Sequence, residues 1–592
     1  MDNVTEAATE EKTRLYFGWL DFTVFGLMLG FSALIGVYFG FCDKKQESRV
    51  DYLFGGKTMK TLPVAVSLVA SHFSGITLMG VPSEVYYHGT LYWLVNVSSV
   101  IVAVIINYVY LPVFYNLQLT SSYEYLQLRF NRSVRVMASV LFTISLLLYV
   151  PLVIYVPALA FSYVSGLNIH VITPVVCIIC IFYTMLGGLK AVVWIDFLQS
   201  VVIVISSFVI IFVGVIKAGG PGTVWQRSSE GGRIQIFEMD PSPFVRATFW
   251  NVIIGNIFSW LNYCAVNQGM IQKFLALPSI AKAKKSLVLF TIGIFIIKNI
   301  SCYTGLIIYA SYHDCDPLKA KVIQRQDQLV PYYIMDVAAT VPCLPGLFVA
   351  GVFSAALSSM ASALNSLAGT MYEDFIRPCM KYNVTEKCAS YILRLVVIVI
   401  GTICVLMVFV VEKLGGILQL AYTTGGVTSG AFLGLFSLGI FFPRANSKGA
   451  LTGAIVSLLT LSWIAVGAQN AIATGNIKHK TLSTSIEGCS SSNDTIPTVN
   501  PVESPPEGAF VLFRISFMYY TMLGSFILLV VGMVVSLLTK PTDPQDLNPY
   551  LFAPFLQKYV MKLKEEGRKK DPTETEFLNM SPKEKTSLTE ED

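Results

Sequence analysis

The fold of this chain is decided at residues 63–89, which read PVAVSLVASHFSGITLMGVPSEVYYHG. Both ends are as apolar as a membrane-spanning helix, but residues 70–75 bring two serines, a histidine and a glycine into the middle. Irregular backbone at membrane depth is tolerated only where it is buried in protein or lines a cavity. In secondary transporters, helices broken in this way bind coupling ions and substrates. A kinked helix with small packing residues is the alternative, and this segment alone favours neither.

The composition of the whole chain is that of a polytopic membrane protein. Hydrophobic residues make up 54% of the 592 positions and charged residues 13%, whereas a soluble protein carries about 25% charged residues. The net charge of +5 gives no support for nucleic-acid binding. Apolar runs long enough to cross a membrane recur about thirteen times and predict an all-α fold. They lie at 19–41, 63–87, 91–115, 134–162, 168–188, 192–217, 247–272, 286–311, 345–371, 390–411, 416–442, 448–468 and 514–538.

The distribution of basic residues predicts the orientation of these spans. Lysine and arginine collect in alternate loops, among them residues 44–60 and 273–285, and loops of this kind face the cytoplasm. We therefore expect an extracellular N-terminus at 1–18 and a transmembrane domain at 19–539. A flexible cytoplasmic tail is expected at 540–592, because that segment is charged and poor in aromatic residues. The plasma membrane is the expected location.

Covalent modifications are expected on the predicted outer side. Asn3 and Asn493 each begin an Asn-x-Thr sequon, which can carry a glycan there. The eleven cysteines show neither CxxC nor zinc-site spacing. Three of them, Cys315, Cys343 and Cys489, lie in loops placed outside, where a disulfide can persist. We predict the pair Cys315–Cys343, with free thiols as the alternative.

One apolar run carries a polar face that suits a sodium ion. Small and hydroxyl residues recur at helical spacing between residues 354 and 366. Sodium is a hard cation, and hard cations take oxygen ligands. The hydroxyls of Ser358 and Ser359, beside the free carbonyls of a broken helix, would supply a neutral oxygen cage. A face of small residues that packs against another helix is the alternative, and the segment taken alone favours it.

Other polar groups within apolar runs are candidates by default, because such residues are costly in a membrane. Asp196 and Gln199 enter one run, where the acid could tune ion release or satisfy the dipole of the helix N-terminus. Tyr263 is followed by the amides of Asn267 and Gln268, which suits a gate and a hydrogen-bonding wall. Interhelical hydrogen bonds, worth roughly 0.6 kcal/mol each, are the alternative for these amides.

A further polar run, residues 415–426, contains Gln419 and Thr423 between pairs of glycines. It fits a mobile gate helix or a plain flexible helix. The chain contains no P-loop, no nucleotide-binding fingerprint and no HExxH motif, so neither an enzyme nor an ATP-driven pump is indicated. It contains no recognisable selectivity filter either. Coupling to an ion gradient is the simpler source of work.

At these residues the chain resembles the sodium/solute symporter family, over about residues 19–539. The resemblance is strongest to its branch of multivitamin, monocarboxylate and iodide symporters, and there to the multivitamin transporter. It implies a LeuT-type fold with one leading helix, two inverted five-helix repeats and trailing helices, and sodium as the coupling ion without another cofactor. The motifs that carry it are GVPSE (80–84), LPVFYNLQLTSSYEYLQLRFN (111–131), YVPALA (155–160), FYTMLGGLKAVVWIDFLQ (182–199), VNQGMIQK (266–273), DCDP (314–317), PGLFVAGVFSAALSS (345–359) and NSLAGTMYEDFIRP (365–378).

The resemblance also implies a shared sodium site. Its ligands would be the carbonyl groups of Ala70, Phe73 and Ala355. The hydroxyls of Ser358 and Ser359 would complete it.

The resemblance assigns roles to further positions. Asp196 and Gln199 match polar positions that the family uses around sodium. Tyr263 falls where sugar-transporting members place an aromatic gate, and Gln419 falls where they place a sugar-contacting glutamine. Thr77 occupies a substrate-facing position that varies between branches.

The chain departs from the branch at His72, which replaces the usual apolar residue inside the break and which we include among the substrate and gate residues. The function expected is sodium-coupled import of small organic anions, first of all vitamin carboxylates such as biotin, pantothenate and lipoate. Short monocarboxylates or iodide are the alternative substrates. A sodium leak channel and a non-transporting sensor are the alternatives from other classes. The expected partners are sodium, the anionic substrate and the lipid membrane, without nucleic acid.

Overall fold

Helices account for all regular structure in the described part of the chain, which confirms the all-α class. The computed structural model describes residues 17–42, 49–72, 75–119, 121–323, 326–338, 343–380, 385–413, 417–477, 481–489 and 510–570. The first ten helices are α1 (Trp19–Val37), α2 (Arg49–Phe54), α3 (Thr61–His72), α4 (Gly75–His88), α5 (Val95–Ile105), α6 (Leu111–Leu117), α7 (Ser122–Arg129), α8 (Arg132–Ser165), α9 (Ile169–Lys217) and α10 (Pro221–Glu230). The others are α11 (Asn256–Leu261), α12 (Gln268–Leu275), α13 (Ile280–Ser311), α14 (Leu329–Ala338), α15 (Leu344–Thr370), α16 (Arg377–Cys379), α17 (Glu386–Lys413), α18 (Ile417–Phe441), α19 (Ser447–Ala473), α20 (Tyr520–Leu538) and α21 (Pro554–Lys570).

Each predicted apolar run coincides with a helical segment, but two of the runs share α9. At 49 residues this helix is about 74 Å long, more than twice the roughly 30 Å of a hydrocarbon core. It bends at Gly188, whose φ of 50° and ψ of −149° lie outside the helical region. A Cβ atom there would lie 2.7 Å from the Tyr52 carbonyl oxygen, so the bend requires glycine.

The number of membrane spans was predicted as about thirteen. By length and apolar character, nine helices of the described residues could cross a membrane, or ten when α3 and α4 count as one broken span. The total of thirteen therefore stays a prediction.

The predicted interruption of the first apolar stretch is present. Helix α3 ends at His72, and the helix that follows is inclined to it by 54°. The two residues between, 73 and 74, lie outside the described part of the structure. A second interruption divides residues 251–275. Two π-helical turns, Asn251–Gly255 and Asn262–Val266, flank α11, and the extended Asn267 (φ −68°, ψ 129°) separates them from α12.

Helix α15 lies at the centre of the molecule. In its most apolar stretch of 18 residues, 83% of the residues are buried. The helix packs against α1, α3, α8, α9 and α17. Small residues allow this close approach, as is usual between membrane helices. A Cβ atom on Gly346 would lie 2.5 Å from the Asp21 Cα atom of α1. The serine face of α15 is therefore enclosed by protein.

The predicted disulfide pairing is wrong. Cys315 bonds to Cys489, with 5.0 Å between their Cα atoms, and Cys343 is a free thiol at the start of α15. The pairing follows from backbone hydrogen bonds that hold residues 481–489 beside the segment after α13. The Asp316 amide donates to the Ser485 carbonyl at 2.9 Å.

Residues 540–570, the first part of the predicted tail, follow a defined path that ends in α21. The Tyr125 hydroxyl donates to the Leu551 carbonyl at 2.9 Å, and Phe552 and Val560 are buried. Residues 571–592 lie outside the described part of the structure, as do the predicted glycosylation sites Asn3 and Asn493.

Candidate functional site

A cavity of about 220 Å³ lies beside the broken helix. It is bounded by the ends of α3 and α4, by the interrupted segment 251–266 and by α13. The structure thus brings together three predicted substrate or gate residues that are up to 191 positions apart, from 72 to 263. Its lining residues are His72, Thr77, Ser259, Trp260, Tyr263, Ile294, Ile297 and Lys298.

Aromatic rings close one side of the cavity around His72. The imidazole stacks on Trp260 with 4.8 Å between ring centroids and 11° between planes, and its centroid lies 3.9 Å from that of Tyr263. The Tyr263 hydroxyl donates to the Ser71 carbonyl at 2.9 Å. That carbonyl lies at the broken end of α3, where the helix leaves its last acceptors without partners. Tyr263 therefore ties the two interrupted segments together, as an aromatic gate would.

Four helices meet at a buried polar network next to the cavity. The carboxylate of Asp196 on α9 accepts from the Ser67 hydroxyl at 2.5 Å and from the Lys273 ammonium at 3.2 Å. Lys273, on α12, also donates to the hydroxyls of Ser71 on α3 at 2.5 Å and of Ser362 on α15 at 3.0 Å. Both charged side chains are about 1% exposed. Lys273 had been counted with the cytoplasmic loop 273–285, and its burial corrects that placement.

The predicted sodium ligands that the structure describes lie on the same helices as this network, α3 and α15. Ala70, Ala355, Ser358 and Ser359 are all buried. The Ser359 hydroxyl donates to the Ala355 carbonyl of its own helix at 3.0 Å. Phe73, the remaining predicted ligand, lies outside the described residues.

Two buried oxygen atoms beside this network form no hydrogen bond with the described residues. The Asp196 Oδ1 atom is buried without a hydrogen-bond partner among the described residues. The Ser358 hydroxyl lies close enough to interact with the Asp196 carboxylate, yet it forms no hydrogen bond of good geometry. Buried oxygens in this state are rare in proteins. They are the ligands that a hard cation takes, so the residues present fit a sodium ion.

The chain's similarity to known proteins decides its family. The model of the sodium:solute symporter family matches residues 52–457. The chain belongs to this family. It is therefore a sodium-coupled solute symporter in a membrane, and not an enzyme.

Two relatives of this symporter are similar over nearly their whole length. Sodium-coupled monocarboxylate transporter 2 of Homo sapiens is 37% identical over 538 residues, which span 91% of this chain and 87% of the relative. The sodium-dependent multivitamin transporter of Oryctolagus cuniculus is 36% identical over 554 residues, which span 90% and 85%. Two of the three transport classes named by the resemblance, the monocarboxylate and the multivitamin transporters, thus occur among these relatives.

A solved structure shares the fold of this symporter. It is the substrate-bound, outward-open state of a sodium-coupled sialic acid symporter, with a TM-score of 0.73 and 23% identity. The match covers 89% of this chain and 99% of that chain. It confirms the predicted LeuT-type fold class.

Two residues predicted for the substrate site of this symporter accept hydrogen bonds from backbone amides. The Asn267 side chain accepts from the Gly269 amide at 2.9 Å and caps α12. The Gln268 side chain accepts from the Ser122 amide at 2.6 Å and is 2% exposed. Neither lines the cavity, because both amides satisfy backbone donors at helix ends. The side chains of Gln419 and Thr423, near the start of α18, lie outside the described part of the structure.

The predicted pair on α9 divides between two environments. Whereas Asp196 contacts Lys273, the Gln199 side chain donates to the Ser32 hydroxyl of α1 at 3.1 Å. The Gln199 Oε1 atom is buried without a partner among the described residues.

Sequence reasoning missed Lys298 as well as the role of Lys273. Lys298 lies in the apolar run 286–311, and the cost of a cation inside a span was signal enough to single it out. Lys273 sits at the end of a run, where sequence alone does not separate a loop lysine from a buried one.

Proposed function

We propose that this symporter imports small organic anions that carry a single carboxylate, driven by the sodium gradient. Vitamin carboxylates such as biotin, pantothenate and lipoate are the first candidates, as the sequence resemblance suggests. Short monocarboxylates are the second. The relatives described above support both classes at nearly equal identity.

The observation that carries this proposal is the composition of the cavity wall. None of the lining residues is acidic, one is a lysine, and the others are aromatic, aliphatic or hydroxyl residues apart from His72. An organic cation would find no counter-charge in such a cavity, whereas an anion would. The volume of about 220 Å³ is below the roughly 300–1,000 Å³ of sites for drug-sized ligands. That size favours the second class, the short monocarboxylates, whereas the sequence resemblance favours the vitamin carboxylates.

Solute transport would be coupled to sodium because the ion and the solute bind at the same break, between α3 and α4. Ala70, a predicted sodium ligand, lies two residues before His72, which lines the cavity. A sodium ion bound there would hold the end of α3 against α15 and so complete the cavity wall. Substrate would then bind more tightly with sodium present, and rocking of the repeats would release both inward.

The test is uptake of labelled biotin, pantothenate, lactate and iodide into cells that express this chain, in sodium and in choline medium. Sodium-dependent uptake of at least one carboxylate, absent from control cells, is the expected result. Iodide uptake alone would remove the carboxylate class and leave the sodium mechanism. Uptake that is equal in sodium and in choline medium would reject coupling to sodium. A sodium current without any solute would favour the leak channel, and no flux at all would favour the sensor.

We further propose that the protein resides in the plasma membrane with its N-terminus outside and its C-terminus in the cytoplasm. The disulfide Cys315–Cys489 supports this orientation, because both cysteines lie in segments predicted outside, where disulfides persist. Enzymatic removal of glycans from the expressed protein should lower its apparent mass. Asn3→Gln and Asn493→Gln should abolish that shift together, and a shift that survives in the double variant would contradict the assigned sites.

A further inference from the structure

Lys298 is a buried cation whose charge no acidic side chain of the described residues balances. It lies inside α13, 18 residues after Ile280 and 13 before Ser311, and it is 8% exposed. Its hydrogen bond is to a neutral group, the Tyr92 hydroxyl, at 3.3 Å. The rings of Tyr92 and Trp260 lie 5.0 and 6.0 Å from its nitrogen.

The other buried basic side chains of the described residues have stronger acceptors than the single hydroxyl that Lys298 contacts. Lys273 pairs with Asp196 at 3.2 Å. The Arg129 guanidinium donates to four backbone carbonyls, those of Gly439, Phe442, Pro443 and Ala445. Arg233 donates to the carbonyls of Tyr86 and Gly231. Each of these cations is held by charged or strongly dipolar acceptors, as buried charges usually are.

A carboxylate close to this region is already engaged. Glu84 is close enough to Tyr92 for its charge to act on the phenol. Both Glu84 oxygens, however, accept from the Arg246 guanidinium. A bidentate pair of this kind is strong and specific. A carboxylate that balances the charge of Lys298 therefore has to come from outside the described residues.

The position of Lys298 in the cavity indicates where that acid would come from. It lines the cavity together with the hydroxyl residues Thr77 and Ser259, and none of the described lining residues carries a carboxylate. One cation and a few hydroxyl donors in an otherwise aromatic and aliphatic pocket form a receptor for a carboxylate. An ionisable residue within a membrane span is by default a functional one.

We propose that Lys298 binds the carboxylate of the transported solute and determines the selectivity for anions. The proposal rests on the function proposed above, since it names the residue that selects the substrate class. A charge-assisted hydrogen bond forms only with the ionised acid. The neutral amide of the same acid would lack that bond and leave the ammonium unbalanced.

The experiment compares lactate with lactamide, and biotin with biotinamide, as sodium-dependent substrates and as competitors. The proteins are wild type, Lys298→Met, Lys298→Arg and Lys285→Met. Methionine removes the charge at similar length, and arginine keeps the charge. Lys285 is an exposed lysine of the same helix, so Lys285→Met is the matched control.

In wild type, the acid should be preferred over its amide by about 10- to 100-fold in kcat/KM, the worth of one hydrogen bond to a charged group. Lys298→Met should lose most of this preference, chiefly through a higher KM for the acid. Lys298→Arg should keep a preference for the acid, and Lys285→Met should behave as wild type. Surface biotinylation measures how much of each variant reaches the membrane.

Three results would overturn the inference, and they are distinguishable. If wild type imports no carboxylate in a sodium-dependent manner, the proposed function fails and the inference fails with it. If wild type imports carboxylates but accepts amides equally well, only the inference fails, whether or not any variant folds. If Lys298→Met reaches the surface and keeps the preference, Lys298 has a merely structural role against the aromatic rings.

Discussion

Lys273→Met tests whether the ammonium group in the buried network holds α3, α9, α12 and α15 together. Its nitrogen contacts four oxygen atoms. They are the Ser67 carbonyl, the hydroxyls of Ser71 and Ser362, and one carboxylate oxygen of Asp196. Methionine fills similar space and removes all four. It leaves the Asp196 carboxylate with a single hydrogen bond, from Ser67.

The expected loss of stability is large because one partner of a buried pair is removed. A buried charge left uncompensated in this way costs about 3–5 kcal/mol. Asp196→Asn keeps a neutral acceptor and leaves Lys273 with its three uncharged oxygens, so we expect about 1–3 kcal/mol. The double variant leaves no unpaired charge. Its loss should be smaller than the sum of the single losses by at least about 2 kcal/mol.

The assay is thermal unfolding of the purified protein in detergent, in sodium and in choline buffer. Lys298→Met is not a suitable control, because it changes the cavity; Lys285→Met, on the exposed part of α13, is suitable. Strict additivity of the two single variants would refute the reasoning. A Lys273→Met protein that unfolds at the wild-type temperature would also refute it, since the ammonium group would then contribute nothing to stability.

Four further variants test the site and the fold. Ser358→Ala should raise the sodium concentration for half-maximal uptake several-fold, because it removes a predicted ligand, and unchanged sodium dependence would remove Ser358 from the site. Tyr263→Phe deletes the hydrogen bond to the Ser71 carbonyl, so sodium current without substrate should increase, and a current equal to that of wild type would contradict a gating role. Cys489→Ser should lower stability by about 2–5 kcal/mol, whereas Cys343→Ser should leave the unfolding temperature unchanged, since that thiol is free.

The broken helix could be predicted because its cause is local. Serine, histidine and glycine inside residues 70–75 are too polar for a continuous lipid-facing helix, and the sequence itself displays the conflict. Thr77 and Tyr263 both line the cavity beside this break, and the roles that the resemblance to a family implies for them stay predictions. Composition and periodicity alone predict only a polytopic helical membrane protein.

The errors arose where the outcome depends on distant contacts. Asn267 and Gln268 are amides in an apolar run, and only the packed structure reveals that they satisfy backbone donors rather than a solute. Lys273 lies at the end of a span, where a count of positive charges treats every lysine as belonging to the loop. Lys298 is different, because its position inside a run was visible and its cost alone argued for a function.

The pairing Cys315–Cys489 has a consequence for biosynthesis. Because 174 residues separate the two cysteines, a ribosome that adds about 5–20 residues per second needs roughly 10 to 35 seconds to supply the second thiol. The thiol of Cys343 emerges long before that, only 28 positions after Cys315. Cys343 is therefore available to Cys315 before Cys489 is, and it is also the partner that the sequence favoured. If the pair Cys315–Cys343 forms first, thiol–disulfide exchange has to replace it with Cys315–Cys489. An oxidoreductase that resolves the early pair would then set the yield of transport-competent protein.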